Sequence, residues 1–361
     1  MKLYFYINVL GGGGAERVVA NLANQFQEHG HDVGIITSFK VENEYKTNYE
    51  IQRYNLEKRA NDKNNRLLKN INRIHKLRRV LKSEKPDVII AFMAEPNFRT
   101  IVAGLGLRTK IVTSVRNDPN KEYAGHLGNF VKQIIMPLSD GCVFQTTDAQ
   151  QAFSKTLIDK SVIILNQVDS KFFTVRRHPK YQKIVTAGRL SAQKNQKLLI
   201  NAFSRIYMFH PLATLHIYGD GVLKEELENL IKELNLSEKV FLHGNTSHME
   251  SVYSEADLFV LSSNYEGLPN ALLEAMACGV ACISTDCPCG GPRMVIEDGI
   301  NGLLTPVDDV EQMAAAIDEL LRDDAKKNQF SMKGKETSVD LLNPEIIYSK
   351  WEKYLYSIIG E

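Results

Sequence analysis

Short, almost uninterrupted apolar runs alternate along the chain with stretches whose apolar positions recur every three or four residues. Runs of the first kind are bounded by glycine and polar residues and read as strands buried on both faces. In the first half they are Leu3–Val9, Val33–Thr37, Asp87–Phe92, Ile111–Val115, Cys142–Gln145 and Val162–Leu165. In the second half they are Lys183–Gly188, Thr214–Tyr218, Val240–Leu242, Leu258–Leu261 and Ala281–Thr285. Helical spacing covers Ala15–His29, closed by Gly30, and Leu272, Leu273, Met276 and Ala277, closed by Gly279. A last helix over 344–359 carries Ile346, Ile347, Trp351, Tyr354, Leu355 and Ile358 at the same intervals. Strands alternating with helices predict an α/β protein built on parallel sheets. Residues 170–182 are polar, basic and weakly periodic, which suggests a linker. The expected division is therefore 1–168, 169–343 and a terminal helix over 344–361, and 361 residues suit two domains better than one.

Composition narrows the function classes. Hydrophobic residues at 43% and charged residues at 24% supply apolar mass for two cores, and a net charge of +1 gives no whole-chain case for nucleic acid. No run of eighteen apolar residues exists to span a membrane. The apolar start is stopped by Gly11–Gly14 and preceded only by Lys2, so it reads as a strand and not as a signal peptide. Five cysteines without a secretion signal point to reduced thiols in a cytosol. Cys278, Cys282, Cys287 and Cys289 lack paired C-x2-C spacing and fall on or beside apolar elements, so they read as core or loop residues and no metal site is expected.

The glycine-rich turn after the first strand invites a dinucleotide reading, which fails on inspection. With Gly11 and Gly13 in place, the third position of G-x-G-x-x-G is Glu16, and Asp32 does not end the second strand. Between Lys58 and Lys85 eleven Lys and Arg face only Asp62 and Glu84, and Leu67, Leu68, Ile71, Ile74, Leu77, Val80 and Leu81 keep helical spacing. This amphipathic basic helix suits either plain solvent exposure or an anionic membrane surface or lipid diphosphate. Without interleaved aromatics it does not suit a nucleic-acid groove.

The richest stretch is NYEGLPNALLEAMACGVA, residues 264–281. Gly267 permits an unusual turn, Pro269 fits a first helical position, and the helix start offers N–H groups and a positive dipole end to a phosphate. Glu266 and Glu274 are eight residues apart and would diverge by about 80° on one continuous helix. Glu266 is therefore placed on the loop leading in and Glu274 in the second helical turn. Arg116 and Asn117 emerge after the Ile111–Val115 strand, at the end of a parallel strand where ligands collect.

The spaced pair inside EGLPNALLEAMACG resembles the signature of the retaining glycosyltransferase family 4, which has the GT-B fold. GGAER near the amino terminus, GRLSAQKN at 188–195, GGPR and DGINGLL resemble the same family. The resemblance implies two Rossmann-like, doubly wound domains facing a cleft. Glu266 would contact the donor sugar and Glu274 the ribose, while the backbone over Gly267, Leu268, Pro269 and Asn270 would border the phosphates, with N–H groups from all but the proline. Arg189 and Lys194 would grip the diphosphate, Arg as a fork and Lys as a mobile point charge. Gly13 and Gly14 would let backbone approach donor and acceptor. Gly219 and Asp220 would border the donor, and the loop at His243 would cradle the base through backbone groups. Relatives carry a histidine near Arg116 and Asn117, so only the acceptor-side location transfers to these two. Met294 stands where relatives have Glu, which removes an ionic role there.

The implied reaction moves a hexosyl or N-acetylhexosaminyl group, from a UDP-sugar rather than GDP-mannose, with retention and without a metal cofactor. The implied acceptor is an undecaprenyl-diphosphate-linked glycan at the cytoplasmic face of the inner membrane, in surface polysaccharide or glycan assembly. A soluble transferase acting on a free sugar, sugar phosphate or protein is the alternative enzyme. A nucleotide-sugar-binding protein without turnover is the alternative from another class.

Overall fold

The structure, a computed structural model, describes residues 1–57 and 66–360, the side chains of Arg66 and Leu67 apart. Lys58, Arg59 and Lys63 of the basic stretch lie outside the described residues. The chain forms two compact units, one of residues 1–166 with 347–361 and one of residues 167–346. Each is built on a sheet whose paired strands all run parallel.

The first unit contains β1 (Lys2–Ile7), β2 (Asp32–Phe39), β3 (Gln52–Glu57), β4 (Val88–Phe92), β5 (Lys110–Ser114), β6 (Gly141–Phe144) and β7 (Ser161–Ile163). Their order is β3-β2-β1-β4-β5-β6-β7. Leu3 sits opposite Val33 on one side and Val88 on the other, so β1 is sealed on both edges. Strand β3 escapes the sequence reading because its QRYNLE segment is polar and half-exposed at the sheet edge, with only Leu56 buried. The Gly14–Glu28 helix presses Val18, Val19, Leu22 and Phe26 onto the sheet.

The terminal helix spans Pro344–Ile359, and from residue 347 it belongs to this unit. Trp351 stacks on Phe92 with ring centroids 6.2 Å apart. Tyr354 Oη accepts the Cys142 N–H at 2.8 Å and donates to the Lys160 carbonyl at 2.6 Å. These contacts weld the last helix to β4 and β6.

The basic helix runs over Arg66–Glu84, and the surface role expected for its cations holds for only some of them. Arg73 pairs with Glu57 at 2.8 Å and lies over the Phe39 ring. Lys76 donates to the Leu56 carbonyl at 2.7 Å, and Arg78 donates to the carbonyls of Ala103 and Leu105, each at 2.7 Å. These three cations bind the unit's own β3 edge and the end of the Ala94–Gly104 helix. Arg79 and Lys82 remain exposed.

The second unit contains β8 (Lys183–Ala187), β9 (Thr214–Tyr218), β10 (Val240–Gly244), β11 (Leu258–Leu261), β12 (Ala281–Thr285) and β13 (Leu303–Thr305), ordered β10-β9-β8-β11-β12-β13. Both sheets repeat the doubly wound pattern in which strand order reverses beside the first strand of the unit. The reversal lies between β1 and β4 in one and between β8 and β11 in the other. Ligands of such sheets bind beyond the carboxyl ends at that point. The core around β8 gathers Ile184, Leu199, Phe203, Leu215, Ile217 and Ile317, each at most 0% exposed. Burying a leucine or phenylalanine this fully stabilises the fold by roughly 1.5–3 kcal/mol.

The segment read as a linker is docked within this unit instead. Phe172 is buried against Tyr253, and the Arg177 guanidinium donates to the carbonyls of Ala256 and Gly279. Isolated anchors of this kind leave no periodic trace. Among the described residues no helix is long and apolar enough to cross a membrane.

Candidate active site

The loops after β8 and β11 flank the reversal point of the second sheet, and they carry the two residues that meet there. Lys194 Nζ contacts Glu266 Oε1 in a close ion pair. Ser263 donates its hydroxyl to the same oxygen at 2.6 Å. The Glu266 side chain is 7% exposed and that of Lys194 21%, so the carboxylate is sunk and the ammonium reaches toward solvent. An ammonium has three donors, so one contact with Glu266 leaves capacity for a second anion.

The two loops are laced together by polar bonds that hold this pair. Asn195 adopts left-handed backbone at φ 44°, caps the Gln196–Ile206 helix through its Oδ1, and donates Nδ2 to Asn264 at 2.8 Å. Gln193 donates to the Tyr265 carbonyl at 3.0 Å, and Ser262 donates to the Lys194 carbonyl at 3.0 Å. Glu266 N–H donates to Pro288 at 2.7 Å, and the Cys289 N–H returns to Glu266 at 3.1 Å. Ser263 and Asn195 were not singled out from sequence, because short polar residues in a loop carry no periodic signal.

The helix after β11 spans Asn270–Ala277, so Pro269 is its N-cap and not its first helical residue. Pro269 itself supplies no side-chain cap. Glu266 stands on the loop before it and Glu274 in its second turn, buried at 5% exposure. Gly267 and Leu268 are buried at this turn. A β-carbon on Gly291, in the GGPR segment, would lie 1.6 Å from the Gly267 carbonyl oxygen. Gly219 approaches the loop after β8 just as closely, with its β-carbon position 2.0 Å from the Gly188 carbonyl oxygen. Leu190 N–H donates to the Asp220 carbonyl at 3.0 Å, and the exposed Asp220 side chain accepts from Gly221 N–H at 2.8 Å. Arg189 is exposed on the same loop as Lys194.

His243 is the next-to-last residue of β10, whose final Gly244 accepts the Gly219 N–H at 2.8 Å. Its ring stacks on Tyr218 at 4.5 Å, and its Nε2 lies 2.8 Å from His216 Nδ1. Only one of the two facing nitrogens can carry the shared proton, so at least one imidazole is neutral. Burial, with Lys183 adding repulsion, depresses His216 to about 4 and lowers His243 as well. An unfolded histidine takes up its proton near 6.5, so the unfolded chain binds more protons between about 6.5 and 4, and stability falls as pH falls through that window. Melting temperatures of wild type and His216→Phe should therefore converge on acidification from pH 7 to pH 4.5. Parallel curves would exclude this histidine as the acid-sensitive group.

In the first unit the loop after β1, at that sheet's reversal point, ends in Gly13, the N-cap of the helix that Gly14 begins. The Glu16 carboxylate occupies the space where a β-carbon on Gly13 would stand, and a β-carbon on Gly11 would lie 2.3 Å from the Asn43 carbonyl oxygen. Arg116 follows β5 and is buried, with its guanidinium 4.6 Å from the Phe92 ring centroid and 5.6 Å from that of Trp351. Its Nη1 donates to Asn166 Oδ1 at 2.9 Å, while Nε and Nη2 have no hydrogen-bond partner. Burial lowers it to about 9. Asn117 beside it is half-buried. Glu122, which drew no attention in the sequence, is pushed up to about 7 by burial and then by Asp118.

All five cysteines are buried, and burial pushes the Cys142, Cys278 and Cys287 thiols up to about 12, which leaves these three inert as nucleophiles. Among the described residues no three His, Cys, Asp or Glu side chains gather as metal ligands.

The profile for glycosyl transferases group 1 matches residues 168–337, and that for glycosyltransferase family 4 matches residues 12–172. The chain is 30% identical over 354 residues to the N-acetylgalactosamine-N,N'-diacetylbacillosaminyl-diphospho-undecaprenol 4-alpha-N-acetylgalactosaminyltransferase of Campylobacter jejuni, covering 92% of this chain and 94% of that enzyme. It is 28% identical, over 94% of both chains, to a second Campylobacter jejuni enzyme that adds alpha-1,4-N-acetyl-D-galactosamine to a diphospho-undecaprenol glycan. Among solved structures, Anabaena HepE in complex with UDP and glucose superposes with a TM-score of 0.83 at 18% identity, covering 99% of this chain and 100% of that one. Sucrose-phosphate synthase from Thermosynechococcus elongatus superposes with a TM-score of 0.86 at 18% identity over the whole of both chains. Two matched profiles, a full-length relative and two parallel α/β units of this design make the chain a glycosyltransferase of family 4 with the GT-B fold.

Proposed function

We propose that the protein is a retaining glycosyltransferase that moves an N-acetylhexosaminyl or hexosyl group from a UDP-sugar to an undecaprenyl-diphosphate-linked glycan. The observation that carries this reading is the Lys194–Glu266 pair at the reversal point of the second sheet, directly before the start of the Asn270–Ala277 helix. The choice of donor and acceptor is supported by the two Campylobacter jejuni relatives and by the UDP bound to HepE.

In this reading the bond from the anomeric carbon to the diphosphate oxygen breaks as charge builds on that oxygen. Lys194, Arg189 and the N–H groups of Gly267, Leu268 and Asn270 stabilise this charge, the task a divalent ion performs in other enzymes, and no metal is required. The acceptor hydroxyl attacks the same face of the sugar, and its proton passes to a leaving phosphate oxygen. Glu266 orients the sugar and Lys194 together, Glu274 holds the ribose, and the backbone at His243 borders the base beside Gly219 and Asp220. Gly13 and Gly14 let backbone approach the donor and the acceptor, and Arg116 and Asn117 serve the acceptor side. The enzyme works at the cytoplasmic face of the membrane, with the exposed Arg79 and Lys82 of the basic helix available to anionic lipid.

The test is a thermal-shift panel of UDP, GDP and NAD. At a hundred times its dissociation constant, UDP should add about 2.7 kcal/mol of stability. Glu274→Ala should erase that shift, and Glu266→Ala should keep it while cutting turnover. Silence with UDP and GDP, or a response to NAD alone, would sink the donor assignment. An inverted anomeric centre in the product, read by NMR, would sink retention.

A further inference from the structure

The crossover from β5 to β6 carries an apolar face that none of the described residues of the first unit covers. A helix over Gly125–Phe130, a π turn over Val131–Ile135 and a 3-10 turn over Met136–Leu138 run end to end. Leu127, Phe130, Ile134 and Leu138 project from them at intervals of three, four and four residues, with exposures of 76%, 51%, 54% and 56%. Such spacing sets four large side chains along one side of the segment.

The segment is held rigidly from beneath. Met136 is fully buried and its sulfur accepts from Tyr123, which also meets Asn97. A β-carbon on Gly128 would lie 2.3 Å from the Tyr123 carbonyl oxygen, so the helix cannot roll its outer face inward.

We propose that this outer face is a membrane-docking surface that seats Leu127, Phe130, Ile134 and Leu138 in the interfacial layer of a lipid bilayer. Three observations favour lipid over a second copy of the chain. No Asp or Glu occurs between Glu122 and Asp140, while Lys121 and His126 are exposed at the near end, a charge pattern compatible with anionic headgroups. The four side chains together expose on the order of 400 Å², about half of the ~800 Å² per partner that a stable dimer buries. The segment also follows in the chain, within the same β5–β6 crossover, the Arg116 and Asn117 that are assigned above to the acceptor side. The inference rests on that acceptor reading and adds the surface that brings the enzyme to it. It differs from contact through the Arg66–Glu84 helix, where three cations are committed to internal bonds.

Flotation of the full chain with vesicles tests it, using phosphatidylcholine alone and phosphatidylcholine mixed with phosphatidylglycerol. Wild type should float with the mixed vesicles. The variant Leu127→Ser/Phe130→Ser/Ile134→Ser/Leu138→Ser should lose about 100-fold in partitioning with an unchanged melting temperature, because exposed side chains give little to the fold. Arg79→Glu/Lys82→Glu should lose far less. Wild type left in the aqueous fraction overturns the proposal, as does a serine variant that still floats or a larger loss from the charge reversal. A dimer in analytical ultracentrifugation that the serine variant abolishes, without flotation, would assign the face to a second copy instead. Transfer to a polyprenyl-diphosphate glycan in detergent is measured alongside. Transfer without flotation sinks only the docking face, and flotation without transfer sinks only the acceptor reading.

Discussion

Lys194→Ala is expected to lower the transfer rate by roughly 10²–10³-fold, the usual loss when one preorganised donor to a developing oxyanion is removed. The ammonium stands at the reversal point of the second sheet, paired with Glu266 and still partly open to solvent. Its loss withdraws a positive charge where the leaving diphosphate gains a negative one. The same substitution strips a buried carboxylate of its counter-charge, and breaking a buried pair from one side costs about 3–5 kcal/mol in a dry site. With the Lys194 side chain 21% exposed, about 2 kcal/mol is the better expectation here. Two effects of one substitution are separated by Lys194→Ala/Glu266→Gln, which removes both charges and leaves Ser263 a neutral partner. The double variant should regain most of the lost melting temperature and none of the lost turnover. A Lys194→Ala enzyme with full kcat would overturn the diphosphate role, and a double variant no more stable than the single would overturn the buried-charge argument.

What the sequence reveals of this site and what it hides divide along physical lines. Strands β1, β4, β8, β11 and β12 lie inside their sheets, and burial on both faces demands unbroken apolar runs that show in any window. Strand β3 lies at a sheet edge, where polar residues are tolerated and the run disappears, and β13 at the other sheet's edge is only three residues long, too short to stand out as a run. Glu266 and Glu274 on either side of a helix start follow from their spacing and from Gly267 and Pro269 between them. The pairing of Glu266 with Lys194 does not, because 72 residues separate them and only sheet order brings their loops together. The basic helix shows the opposite error. Its periodicity marks Arg73, Lys76 and Arg78 as surface cations, and only the edge strand and the end of the Ala94–Gly104 helix packed beside them turn those charges inward. The outward apolar residues at 127–138 are equally silent in sequence, since helical spacing cannot say which apolar side faces the core.

Gly291→Ala should produce the largest effect of any single methyl group in the second unit. The added β-carbon would stand 1.6 Å from the Gly267 carbonyl oxygen, and both atoms in the clash belong to loops without a flexible side chain to yield. Relief requires the Gly267 turn to move by more than an ångström. Glu266 adjoins that turn and is tied to Pro288 and Cys289 on the Gly291 side, so its carboxylate would shift with it. A misplacement of about 1 Å can cost 10²-fold in rate, and overpacking of this kind costs typically 1–3 kcal/mol. Gly299→Ala is the matched control. Its φ of +73° resists a side chain, but a β-carbon there meets nothing within 4 Å. That variant should lose about 1 kcal/mol through backbone strain and keep its turnover. Equal losses of activity in the two variants would mean that strained backbone, and not the close approach of two loops, governs this part of the fold. Loss confined to Gly291→Ala, in kcat rather than in UDP affinity, would locate the sensitivity at Glu266 itself.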